Sequence, residues 1–282
     1  MSVLTGDLGS IVSQTRPVSE FSRVALDGIG RVRVVPSEVE SVEVEAPKRL
    51  IEQIEAFVDE GTLHLGFRRG LSLHHVGKVD IRFEVRAKEI DGLAINGAGS
   101  IDAGKLKGHT TGVEIDGTGR ISVDAIEAER VEFSVDGAGK IEVDRASSQI
   151  CRAELDGAGR ISVRDLKTRD FDLSVEGAGK VALEHLSCHQ LEARLDGAGK
   201  ISADGKAEIV KVDVNGAGKL QLEHVESKRA LVDIDGTGKV DLTVSEALEV
   251  RIDGFGRVAY HGHPELNVRS GGFGKVVSLD DE

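Results

Sequence analysis

Residues 131–143 read VEFSVDGAGKIEV, and this stretch decides the fold. Every second position is apolar or glycine, and the positions between them are polar or small. A period of two residues predicts a β-strand with one buried face. Gly137 and Gly139 fall in the buried phase, where a straight strand would leave a gap in the core. We therefore expect a sharp bend at the Gly-x-Gly step, because glycine adopts backbone angles closed to other residues.

The same bend recurs along the chain in a five-residue unit: an acidic residue or Asn, Gly, a small residue, Gly and a basic residue. Its first glycine is found at Gly97, Gly117, Gly137, Gly157, Gly177, Gly197, Gly216, Gly236, Gly254 and Gly272. The spacing is 20 residues, slipping to 19 once and to 18 twice. A unit this short suits one coil of a solenoid. The sequence predicts an all-β fold, a right-handed parallel β-helix that is a single-stranded solenoid with about 20 residues per coil.

The glycine pairs are predicted to be the structural corners of the coils. These corner glycines are Gly117, Gly119, Gly137, Gly139, Gly157, Gly159, Gly177, Gly179, Gly197, Gly199, Gly216, Gly218, Gly236 and Gly238. Aliphatic side chains of the inward phase should stack from coil to coil. Two further inward columns are predicted, one of Ile126, Ala146, Leu166 and Leu186, and one of Val131, Cys151, Phe171 and Leu191.

The repeat divides the chain at about residue 95. Residues 95–282 are predicted to form the repetitive β-helix with a C-terminal cap, where Phe255, Tyr260 and Phe273 replace smaller residues. Residues 1–94 lack the period, apart from an isolated copy of the unit at 27–31. We expect them to form an irregular β region of the same domain, with a short helix at 47–54. This region would cap the first coil, because an exposed solenoid end invites strand addition.

Two columns of opposite charge should flank the bend on the outside. The candidate charged binding face consists of Asp136, Lys140, Asp156, Arg160, Glu176, Lys180, Asp196, Lys200, Lys219, Asp235 and Lys239. Like charges about 4.8 Å apart repel, so each column needs compensation. One account is mutual neutralisation, with Asp oxygens accepting hydrogen bonds from turn N–H groups. The other is a linear binding face for a repetitive ionic partner or for a second copy of the chain. A column of calcium sites is disfavoured because the neighbouring lysines would repel the cation.

Composition narrows the classes of partner. The net charge of −13 makes nucleic acid and anionic membranes poor partners. No apolar run approaches the roughly 18 residues that span a bilayer. The N-terminus has no basic start followed by an apolar stretch, so the sequence predicts a cytoplasmic location.

No cofactor or metal is expected from the sequence. Gly-x-Gly-Lys resembles a phosphate-binding loop, but a strand rather than a helix follows every copy. The close histidine pairs, His74 with His75 and His261 with His263, have no credible third ligand, and neither have His185 and His224, which are expected to share a column. Cys151 and Cys188 lie in different columns, two coils apart, so we expect both to be reduced.

Three stretches carry a resemblance to a known family. They are SQTRPVSEFSRVALDGIGRVRVVPSEVESVEVEAP at 13–47, GTLHLGF at 61–67 and KVDIRFEVRAKEIDGLAINGAGSI at 78–101. With the Gly-x-Gly coils from Ile95 onward, the chain resembles the putative auto-transporter adhesin head domain, called the GIN domain, almost end to end. The resemblance implies a parallel β-helix and an adhesin-like role, and it implies no catalytic residue. Family members are often exported or lipid-anchored, and the basic residue that closes each unit is unusually regular in this chain.

These observations favour a non-enzymatic β-helical scaffold or binding module with an unknown protein or glycan partner. One alternative is a self-assembling structural protein, a homo-oligomer joined end to end or side by side. A second alternative is a glycan-active enzyme, since parallel β-helices also carry polysaccharide-cleaving sites. Such sites use carboxylate pairs and aromatic platforms, and this chain has no tryptophan and one tyrosine.

Overall fold

The computed structural model describes residues 2–3, 8–68, 71–72 and 79–280. In these residues the chain forms twenty-three strands and one 3-10 turn, Ile51–Gln53, and no α-helix. The strands are β1 (Ser2–Val3), β2 (Ile11–Arg16), β3 (Arg23–Gly28), β4 (Arg31–Pro36), β5 (Ser41–Pro47), β6 (Ile54–Asp59), β7 (Thr62–Phe67), β8 (Leu71–Ser72), β9 (Arg82–Ala87), β10 (Gly92–Gly97), β11 (Ser100–Gly117), β12 (Arg120–Gly137), β13 (Lys140–Ser147), β14 (Ile150–Gly157), β15 (Arg160–Lys167), β16 (Asp170–Gly177), β17 (Lys180–Gly197), β18 (Lys200–Gly216), β19 (Lys219–Gly236), β20 (Lys239–Gly254), β21 (Arg257–His261), β22 (Glu265–Ser270) and β23 (Lys275–Ser278).

The chain winds into a parallel β-solenoid of about nine coils with about 20 residues per coil. Successive coils pair in register: Gly117 lies opposite Gly137, and Gly137 opposite Gly157. The parallel β-helix predicted from the repeat is confirmed. All the strands except β1 and β8, which pair only with each other, belong to one continuous sheet.

The core consists of the predicted inward columns. Ile126, Ala146, Leu166 and Leu186 pair one above another and are buried, as are Val131, Cys151, Phe171 and Leu191. These columns form one hydrophobic cluster that runs from Phe21 to Val258. Burial of aliphatic surface between stacked coils is therefore the main force that holds the solenoid together.

The parallel ladder begins well before residue 95. Strand β3 pairs with β10, which places Asp27 opposite Asn96 and Gly28 opposite Gly97, and β4 pairs with the start of β11. Strands β7 and β9 pair with the opposite edges of β3 and β4. The isolated sequence copy at 27–31 is thus a full member of the corner stack. The solenoid extends past the predicted boundary, and the stacking order of these first coils differs from their order in the chain.

Antiparallel strands cover the N-terminal end of the stack. Strand β6 pairs with β7, β5 pairs with β9, and β2 pairs with β5. Behind this cover the inward residues Leu63, Leu65 and Val85 are fully buried. The helix predicted at 47–54 is reduced to the 3-10 turn Ile51–Gln53, because β5 extends to Pro47 and β6 begins at Ile54.

The C-terminal end is built differently. Phe255 and Phe273, which were expected to cap it, are 68% and 79% exposed and stack on each other with ring centroids 5.4 Å apart. Each occupies the middle position of a Gly-x-Gly bend, which points outward. The prediction that these rings cover the last coil is therefore wrong. Tyr260 is partly buried and packs against the core.

Candidate binding face

The corner glycines hold neighbouring coils at a distance that no side chain would permit. At Gly137 the backbone φ is +109°, and a Cβ there would lie 2.7 Å from the carbonyl oxygen of Gly117. At Gly139 a Cβ would lie 2.5 Å from Cγ2 of Ile115. The same close approach keeps the corner hydrogen-bonded, since the Ala138 N–H donates to the Gly117 oxygen at 2.9 Å. The bend is therefore a rigid, continuous edge along the solenoid.

Two straight columns of charge flank this edge. The acidic column places Asp116, Asp136, Asp156, Glu176, Asp196, Asn215, Asp235 and Asp253 in direct register, and all of them are exposed. The basic column places Arg120, Lys140, Arg160, Lys180, Lys200, Lys219, Lys239, Arg257 and Lys275 in register on the other side of the bend. The structure thus brings together all the residues of the predicted charged face.

Mutual neutralisation of the two columns, one of the two accounts weighed above, is wrong. Within the described residues no ion pair of 4.0 Å or less joins an acidic-column residue to a basic-column residue. No acidic-column side chain there accepts a hydrogen bond from a turn N–H either. The Gly-x-Gly bend lies between the two columns in every coil.

Compensation comes instead from carboxylates two residues beyond the basic column, on the same strand or on the next coil. Glu142 pairs with Lys140 and, at 3.5 Å, with Arg120. Asp241 pairs with Lys219 at 3.6 Å. Residues two apart on a strand lie on one face, and the next coil continues that face in register, which explains why these carboxylates reach the cations. The basic column is therefore neutralised only where a carboxylate occupies this position.

Three successive residues of the basic column have no such carboxylate on their own coil or on the next. Arg160, Lys180 and Lys200, which we call the middle basic segment, are exposed and make no ion pair among the described residues. The corresponding positions on these coils and on the one after them carry the uncharged Ser162, Ala182, Ser202 and Gln221. Stacked coils are about 4.8 Å apart, so the middle basic segment presents an evenly spaced row of cations.

A polar cluster near the N-terminal end was not predicted from the sequence. Asp27 accepts a hydrogen bond from Asn96 at 2.6 Å and lies 2.8 Å from Nδ1 of His64. The His64 ring stacks on Phe57, with centroids 5.2 Å apart. The only sequence signal was the isolated unit at 27–31, which did not reveal that β7 and β10 lie on either side of it.

The remaining candidates provide no reactive centre in the part of the chain that the structure describes. No three His, Cys, Asp or Glu side chains in that part are grouped to hold a metal ion. His185 and His224 lie two coils apart, and the pairing slips by one residue between them; His74 and His75 fall outside the described residues. Both cysteines are free, and burial raises the pKa of the Cys188 thiol to about 12 and that of Cys151 further. No described helix is long and apolar enough to cross a membrane.

Comparison with known proteins gives one family. The family model described as "Putative auto-transporter adhesin, head GIN domain" matches residues 20–184 and 146–264. A search of curated proteins gives no match.

Several solved structures have a similar fold. A putative adhesin from Parabacteroides distasonis is 17% identical with a TM-score of 0.59, and one from Parabacteroides merdae is 17% identical with a TM-score of 0.53. A putative lipid binding protein from Parabacteroides distasonis is 16% identical with a TM-score of 0.52. Each alignment covers 99% of this chain and 100% of the other. At these identities the likeness establishes the fold.

Proposed function

Because the chain belongs to the family of putative auto-transporter adhesin head (GIN) domains, we propose that it is a non-enzymatic binding module that holds its partner on the basic side of the corner. The family and the adhesin-like fold support a binding or scaffold role. The corner supplies a rigid edge, and its charges are fixed in register by backbone hydrogen bonds.

The middle basic segment carries the proposal. Arg160, Lys180 and Lys200 make no ion pair with any described residue, on a protein whose net charge is −13. A row of like charges concentrates positive potential along one line and attracts a partner with acid groups repeated along its length. We take this partner to be an acidic polysaccharide, because a linear polymer can follow a straight edge and needs no deep pocket. Multiple weak contacts would then add to a useful affinity.

The experiment removes the positive charges of the middle basic segment without introducing negative ones. The triple variant Arg160→Gln, Lys180→Gln, Lys200→Gln should lose about tenfold in affinity for immobilised polygalacturonate, since each exposed pair is worth about 0.2–1 kcal/mol. Salt near 1 M, where the Debye length falls to about 3 Å, should abolish wild-type binding. A neutral glucan should not bind.

The matched control removes the same charge elsewhere. Lys88, Lys167 and Lys211 are exposed and make no ion pair among the described residues, so changing all three to Gln alters the net charge equally. This control should keep its affinity. Equal losses in both triple variants would show a general charge effect and contradict the proposal. Reducing-end release from the polysaccharide would contradict the non-enzymatic assignment.

A further inference from the structure

We propose that two copies of this chain join end to end through their last coils, with β22 of one copy pairing antiparallel with β22 of the other. The twofold axis would pass beside Asn267. This assembly is independent of the proposed polysaccharide binding, and it uses a different surface.

The last coil leaves the core uncovered. Strand β22 pairs with β20 and β23 pairs with β21, and no described strand pairs with their other edges. Leu266 and Val268 stack on Leu248 and Val250 in the inward columns, yet they are 43% and 41% exposed, whereas the residues beneath them are buried. An unpaired edge with apolar side chains is a template for another strand.

The opposite end of the solenoid lacks this feature. Its terminal inward residues on β7 and β9, such as Leu65 and Val85, are fully buried behind antiparallel strands. The stack is therefore covered at one end and open at the other. Among the described residues, the C-terminal coil is therefore the end at which a partner could continue the core.

The sequence of β22 identifies the partner as a second copy. The strand begins ELNVR, and antiparallel pairing about Asn267 places Glu265 of each copy opposite Arg269 of the other. The same pairing places Leu266 opposite Val268. The pairing thus sets opposite charges against each other on the outward face of the strand and apolar residues against each other on the inward face. A slip of one residue would set apolar positions against polar ones, so the register is well defined.

The charged residues of β22 find no ion-pair partner in the described part of the chain. Neither Glu265 nor Arg269 makes an ion pair among the residues that the structure describes. Arg269 lies directly beside Arg251 of the preceding coil, a like-charge neighbour. In the dimer each Arg269 gains the carboxylate of the other copy, and both core ends are covered at once.

A charge swap tests the pairing. Analytical ultracentrifugation of the full chain over a range of concentrations should show a dimer. Either Glu265→Arg or Arg269→Glu should raise the dissociation constant at least about tenfold, because each places like charges opposite one another twice. The double variant, Glu265→Arg with Arg269→Glu, should restore dimerisation. As a control, Val39→Glu alters another exposed apolar residue, 72% exposed and away from the last coil, and should change nothing.

A cross-link tests the register separately. With Asn267→Cys the two new thiols would face each other across the axis, with Cα atoms about 4.5–5.5 Å apart, within disulfide range. With Glu249→Cys, one coil lower on the same face, they would be about 10 Å farther apart. Mild oxidation should therefore link the first variant and leave the second unlinked.

A wild-type chain that stays monomeric at all concentrations would overturn the proposal, as would a double swap that fails to restore the dimer. Binding of a different strand to a monomeric last coil would also overturn it. Loss of polygalacturonate binding has no bearing on this result, because the middle basic segment lies several coils away.

Discussion

At the residue scale, each member of a corner glycine pair has its own steric reason. Gly157 has φ +107°, and a Cβ there would lie 2.6 Å from the carbonyl oxygen of Gly137. Gly159 lacks the positive φ, but a Cβ there would lie 2.7 Å from the oxygen of Gly139 and 2.7 Å from Cγ1 of Val135. The first glycine is thus required by backbone conformation and close approach, and the second by packing alone.

Replacing the first glycine should therefore be costly. We expect Gly157→Ala to lower the free energy of unfolding by at least about 2 kcal/mol, from backbone strain together with the clash. Gly104→Ala is the control, since the nearest atom to its Cβ would be 3.9 Å away and its φ is not positive. Urea denaturation followed by circular dichroism measures both. A similar midpoint for the two variants would contradict the steric account.

At the scale of the element, the coils absorb their changes of length away from the corner, where all the register shifts of the later coils fall. Between β17 and β18 the register shifts between Leu183 and Leu186, and between β19 and β20 it shifts between Leu222 and Glu226. Gly205, with φ +135°, lies at the first of these shifts. The bends at the corner stay paired throughout. The side of the coil away from the corner therefore tolerates insertion, and the corner does not.

A matched pair of insertions tests this difference. One serine inserted between Asp204 and Gly205 gives that coil 20 residues, like its neighbours, and should barely change the denaturation midpoint. The same serine inserted between Gly197 and Ala198 shifts Lys200 by one position relative to Asp196. It also breaks the corner hydrogen bonds. We expect it to lower the midpoint sharply. Equal tolerance of both insertions would refute the assignment of the corner as the fixed side.

The sequence predicted the columns of the repeated coils but not the arrangement of charges or of the first coils. Alternation and a period of 20 are enough to place Phe171 above Cys151. They do not say whether Asp136 and Lys140 pair across the bend, so mutual neutralisation stayed open as one of two accounts until the ion pairs were located. They also do not say that the unit at 27–31 stacks on residues 69 positions later, because the intervening strands pair partly with themselves.

At the scale of the whole molecule, the two ends of the solenoid differ in how well their backbone amides are protected from hydrogen exchange. Inner coils have a neighbour on each side, whereas β22 and β23 have one. Hydrogen exchange at low protein concentration should therefore be faster in β22 and β23 than in β3 or in the inner strands β12 to β18. Mass spectrometry of peptides gives this profile directly. Exchange in β3 as fast as in β22 would show that the antiparallel strands do not protect the N-terminal end.

The stacking order of the first coils has a consequence for synthesis. A ribosome releases the N-terminus first, so β3 and β4 emerge before either of their neighbours, β7 with β9 and β10 with β11. That first coil has no parallel partner until β7 and β9 are free, and its other edge is paired only once β10 and the start of β11 have followed. From then on, every new coil meets a completed edge as it leaves the ribosome. The nascent chain thus builds its own template once, and afterwards lengthens by one coil at a time toward the open end.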